Sequence, residues 1–96
     1  MTGPTAIEAR QDAVYQQLKR VMDPELGLSI IKLGLVYHIA VHEGDVVVTM
    51  TLTTPGCPLR DAIARGVERV VGELDWVRRA RVEVVWDPPW TPALIR

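Results

Sequence analysis

The chain has 96 residues, 48% hydrophobic and 24% charged, a composition that builds one small globular domain and excludes a disordered tail. Eleven basic residues against twelve acidic ones give a net charge of −1, which leaves no cationic excess for holding nucleic-acid phosphates. The single cysteine, Cys57, excludes an internal disulfide framework and a closed Cys-rich zinc site, and no apolar run reaches the ~18 residues of a membrane span.

Thr5-Ala6-Ile7-Glu8 has the capping-box pattern, and Ile7, Val14, Leu18 and Val21 recur at helical spacing. These residues predict a first helix over about 6–21, ended by Pro24. Residues 23–34 lack a period; two glycines and a proline predict an ordered loop that buries Leu26, Leu28, Ile30 and Ile31. From Leu35 the period becomes two. Leu35, Tyr37, Ile39 and Val41 form one face of a strand; Val36, His38, Ala40 and His42 form the other. After the turn Glu43-Gly44-Asp45, Val46, Val48, Met50 and Leu52 alternate with Val47, Thr49, Thr51 and Thr53, so the two runs read as an antiparallel hairpin.

Thr54-Pro55-Gly56-Cys57-Pro58 breaks the strand, and Leu59, Ile63, Val67, Val70 and Leu74 then mark a second helix over about 58–74 with Pro58 in its first turn. Val77–Trp86 returns to period two, with Ala80, Val82, Val84 and Trp86 on one face. Three prolines in 88–92 end that strand. The expected fold class is α/β in the broad sense (α+β): one compact domain spanning 1–96, core about 6–92. Its order is α-β-β-α-β, with a three-stranded mixed sheet and the helices on one face.

A strand–helix–strand crossover makes the second and third strands parallel. Their carboxyl ends then share a sheet edge with the start of the first strand, and the segments 23–34, 53–57 and 87–92 converge there. Ligands favour that edge in open α/β sheets. Cys57 follows a strand and opens a helix, where the helix dipole and free N–H groups favour a thiolate. A small buried apolar side chain is the other reading of such a cysteine. Asp23 and Asp87 read as turn caps, Glu25 as a surface charge, and Trp86 and Trp90 as packing residues. His38 and His42 are about 13 Å apart along a strand, too far to share an ion. Arg78, Arg79 and Arg81 read as an edge that resists strand pairing. No dinucleotide-binding glycine motif, P-loop or Cys-x-x-Cys is present, and no histidine is placed to activate the thiol.

Asp23-Pro24-Glu25, Leu33-Gly34-Leu35-Val36-Tyr37, Thr51-Leu52-Thr53-Thr54-Pro55-Gly56-Cys57-Pro58 and Trp86-Asp87-Pro88-Pro89-Trp90 together resemble the small iron–sulfur assembly domain of SufT-like and PaaD-like proteins, over about residues 7–92. The resemblance implies an accessory factor in assembling iron–sulfur clusters or delivering them to clients, and not an enzyme. By that resemblance Cys57 is the functional thiol and the candidate metal ligand, either transient or shared across a dimer. Asp23, Glu25, Thr53 and Thr54 line the site with it, and the position of Asp87 and Trp90 at the same edge adds them. No tightly bound cofactor is expected, only iron or an iron–sulfur cluster in transit.

The implied partners are iron–sulfur scaffold proteins, apo client proteins and a second copy in a homodimer, with no nucleic acid and no membrane. The expected compartment is the cytoplasm, since residues 1–10 lack a secretory pattern. Departures from the family pattern are Lys32 in place of an acidic residue, a short tail, and the missing C-terminal cysteines of phenylacetate-cluster relatives. Two alternatives stand beside this reading: a small reductase or peroxidase using Cys57, and a non-catalytic interaction subunit of a pathway such as phenylacetate degradation.

Overall fold

The computed structural model describes residues 6–53 and 60–96. The expected cap at Thr5 and the expected roles of Thr54, Cys57, Pro58 and Leu59 lie outside these residues.

Helix α1 (Ala6–Leu18) buries Val14 and Leu18. It ends three residues before the predicted boundary: Lys19, Arg20 and Val21 donate to carbonyls three residues back, tightening the last turn and bringing Val21 into the core. Ile7, predicted on the apolar stripe, is instead 56% exposed. The helix is tied to the sheet farther along, where Arg10 donates to the Glu43 carbonyl at 3.0 Å and Gln11 to the Ile39 carbonyl at 2.8 Å.

The expected irregular loop contains a small antiparallel pair, β1 (Met22–Asp23) with β2 (Leu28–Ser29). Two-residue strands have too short a pattern to show a period. The turn between them points Leu26 outward, 49% exposed, against the expectation that it is buried. Leu28 is half-buried, while Ile30, Ile31, Leu33 and Leu35 enter the core.

The main sheet has the order β3 (Val36–His42), β4 (Asp45–Met50), β5 (Arg79–Val84). The β3–β4 pair is antiparallel and the β4–β5 pair parallel, as the crossover argument expects. A bulge falls between Val36 and His38, so Val36 pairs with Met50 and His38 with Thr49. Paired residues share a sheet face, so Val36 joins Ile39 and Val41 on the core side, not His38. The strict alternation predicted for this strand therefore fails at its start.

Val46, Val48 and Met50 of the central strand are fully buried beneath the two helices. Helix α2 (Arg60–Gly72) contributes Ile63, Val67, Val70 and Val71 at the spacing of one helical face. Strand β5 adds Ala80, Val82 and Val84 in register with the buried residues of β4. Trp86 lies beyond the end of β5 and is 40% exposed, so it does not continue that face as predicted. The helices are joined at their ends. Gln17 donates to the Val70 carbonyl, and Glu73 takes ion pairs from Arg20 at 2.6 Å and Arg69 at 3.3 Å. The hydrogen bond from Arg20 is the main reason the Glu73 carboxyl titrates below its ordinary range. Among the described residues no helix is long and apolar enough to cross a membrane.

Candidate functional site

Parallel pairing places the ends of β4 and β5 on the same edge, beside the start of β3. The backbone knits this edge together. Thr51 donates its N–H to the Leu35 carbonyl at 2.9 Å, and Val85 donates to the Met50 carbonyl at 2.8 Å. The end of the central strand is thus held from both sides.

Residues 85–96 then form a strap that runs from β5 toward the chain entering β3. The Tyr37 hydroxyl donates to the Pro88 carbonyl at 2.8 Å, and the Trp90 indole N–H donates to the Leu33 carbonyl at 2.7 Å. A short 3-10 turn, Pro92–Leu94, brings the Leu94 carbonyl against Gly34, and Arg96 donates its N–H to the Lys32 carbonyl at 2.9 Å. Gly34 has φ +75, and a Cβ there would collide with the Leu94 backbone, so the close approach depends on glycine.

The predicted acidic turn is built around Asp23. Its side chain is 4% exposed, and its Oδ1 accepts the N–H groups of Glu25 at 2.8 Å and Leu26 at 3.1 Å. Gly27 closes the turn by donating to the Asp23 carbonyl at 2.8 Å. The reading of Asp23 as a turn cap therefore holds. Glu25 is exposed on that turn. A groove of about 240 Å³ separates this turn from α2, with Met22 and Pro24 on one wall and Ala62, Ile63 and Gly66 on the other.

Thr53 is half-buried, three residues past the end of β4. Asp87 is exposed on the strap, while Trp90 is half-buried within it. Thr54 and Cys57 belong to the segment outside the described residues, which joins Thr53 to Arg60 in sequence. The structure thus brings Trp90 against the Leu33 turn and Asp87 within electrostatic reach of Tyr37. Asp23 and Glu25 share a separate turn facing α2.

Two residues of this edge were not singled out from the sequence. Tyr37 anchors the strap, and burial, then the nearby Asp87 charge, raises its phenol above the ordinary value. Thr51 is fully buried, and its Oγ1 has no hydrogen-bond partner among the described residues. Both stand inside the motifs that carry the family resemblance, which was the signal available for them. His38 and His42 are exposed, as expected. Among the described residues no three His, Cys, Asp or Glu side chains gather closely enough to hold a metal ion.

A small α+β domain whose loops close over one sheet edge is the class that fold and site define. The family model described as iron–sulfur cluster assembly protein matches residues 11–84, and the chain belongs to that family. It is 42% identical over 85 residues to the Fe-S protein maturation auxiliary factor YitW of Bacillus subtilis, covering 88% of this chain and 83% of that one. It is 47% identical over 72 residues to the Fe-S protein maturation auxiliary factor SufT of Staphylococcus aureus, covering 74% and 82% respectively. The crystal structure of a DUF59 domain from Bacillus anthracis superposes with a TM-score of 0.89 at 39% identity, covering 95% of this chain and 88% of that one.

Proposed function

We propose that this protein is a non-catalytic accessory factor that helps deliver iron–sulfur clusters to apo client proteins in the cytoplasm, using the Cys57 thiol. Family membership supports the general role. The observation that carries the specific reading is the closing of one sheet edge by the strap and by the end of β4, from which the Cys57 segment departs in sequence toward α2. Iron–sulfur clusters ordinarily take four protein ligands, and each chain supplies one cysteine. The cluster is therefore cargo, held by a single thiolate during transfer, or by the Cys57 residues of two chains in a homodimer with non-cysteine or external ligands completing the set. Thr53, Thr54, Glu25, Asp87 and Trp90 line the contact with scaffold and client, and Asp23 holds the acidic turn in shape.

Anaerobic incubation with iron and sulfide tests the thiol role, with wild type beside Cys57→Ser. Visible absorption and a mass increase that both vanish in the variant are expected. Equal cluster retention by the two proteins would remove Cys57 from the reaction. Sustained turnover of peroxide or a disulfide substrate would instead favour a thiol enzyme.

A further inference from the structure

Three cations, Lys19, Lys32 and Arg96, meet around one cleft of about 310 Å³ whose remaining lining is Tyr15, Ser29 and Ile31. All three cations are exposed. Lys19 lies over the Tyr15 ring at 5.5 Å, an attraction that leaves its charge uncompensated. The ion pairs among the described residues, both on Glu73, involve none of the three. Asp12 lines an adjoining cleft with Arg96 but makes no ion pair with it. Three positive side chains thus share the rim of a single cleft in a chain of net charge −1.

The cleft floor is apolar, since Ser29 turns its hydroxyl to the Lys32 backbone N–H at 3.0 Å. The adjoining surface is apolar too: Leu94 is 37% and Ile95 40% exposed along a second cleft that Arg96 also lines. A lone inorganic anion would satisfy the cations and leave the apolar floor wet. A flat lipid surface would not enter a concavity. An extended peptide with carboxylates flanking apolar side chains satisfies both features at once.

We propose that this cleft is a docking site for an acidic, partly apolar segment of a protein partner, recognised by Lys19, Lys32 and Arg96 around Tyr15 and Ile31. The inference does not depend on Cys57.

The test uses the full chain and a short synthetic peptide alternating glutamate with leucine, labelled for fluorescence anisotropy. Saturable binding is expected at low salt, weakening as salt rises. The double variant Lys19→Glu/Lys32→Glu is expected to bind at least about tenfold more weakly, whereas Cys57→Ser binds normally. Circular dichroism and a melting curve on the double variant check that it folds, and Lys19→Gln/Lys32→Gln is expected to fall between it and wild type. Equal binding by wild type and the charge-reversed variant overturns the proposal. So does loss of peptide binding that coincides with tight binding to phosphatidylserine vesicles or inorganic phosphate, or self-association that accounts for the signal.

Discussion

Trp90 donates its indole N–H to the carbonyl of Leu33 at 2.7 Å, joining two points 57 residues apart. The bond fastens the strap to the turn that leads into β3. A buried carbonyl left without its donor costs about 1–3 kcal/mol. Trp90→Phe is therefore expected to lower stability by that amount, read as a shift in denaturant midpoint at unchanged slope. An unchanged midpoint would mean that the strap is not fastened there.

The two positive-φ glycines among the described residues separate conformational strain from collision. Gly27 has φ +68 and open space around it, whereas Gly34 has φ +75 and the Leu94 backbone in contact. Gly27→Ala is expected to cost about 1–2 kcal/mol from the left-handed conformation alone. Gly34→Ala adds displacement of the strap to a similar penalty, and its melting temperature is expected to fall clearly further. Equal losses in the two variants would contradict the close packing of residues 92–96 on Gly34.

Thr51 buries a hydroxyl that has no partner among the described residues. Thr51→Val removes that polar group while keeping the branched shape, so stability is expected to hold or rise by up to about 1–2 kcal/mol. Thr51→Ser keeps the hydroxyl and loses a methyl, and is expected to destabilise. The reverse order, in thermal melts of the two variants, would show that the hydroxyl has a native partner.

Tyr37 and Asp87 give the strap an alkaline limit. Burial and the Asp87 charge raise the folded-state pKa of the phenol above its unfolded value of about 10. A raised pKa contributes stability that is fully present below the unfolded value and is lost as pH rises through the folded one. Stability is therefore expected to decline above pH ~10. Asp87→Asn is expected to lower the Tyr37 pKa. Absorbance titration of tyrosinate, with Tyr37→Phe subtracted, measures both. A Tyr37 midpoint that does not move on removing Asp87 would exclude that charge as a cause.

The helices and the three main strands were legible because their periods run long enough to count. In α2 the signal is the apolar spacing of Ile63, Val67, Val70 and Val71, and other aliphatic side chains at those positions would carry it equally well. The crossover rule then supplied the parallel β4–β5 pairing and the shared edge. The bulge was hidden because Leu35 to Val41 reads as uninterrupted alternation whichever residue is looped out. The β1–β2 pair was hidden by its length. At the site, the Asx turn of Asp23 was readable from Asp-Pro, a local signal. The bonds of Tyr37 to Pro88 and Trp90 to Leu33 were not, because they are tertiary contacts between distant segments.

The proposed role of the thiol is tested most directly in a strain whose iron–sulfur enzymes depend on this protein. Cys57→Ser, accumulating to the wild-type level, is expected to leave those client enzymes largely inactive, while Thr51→Val supports them. Full client activity with Cys57→Ser would contradict delivery through the thiol.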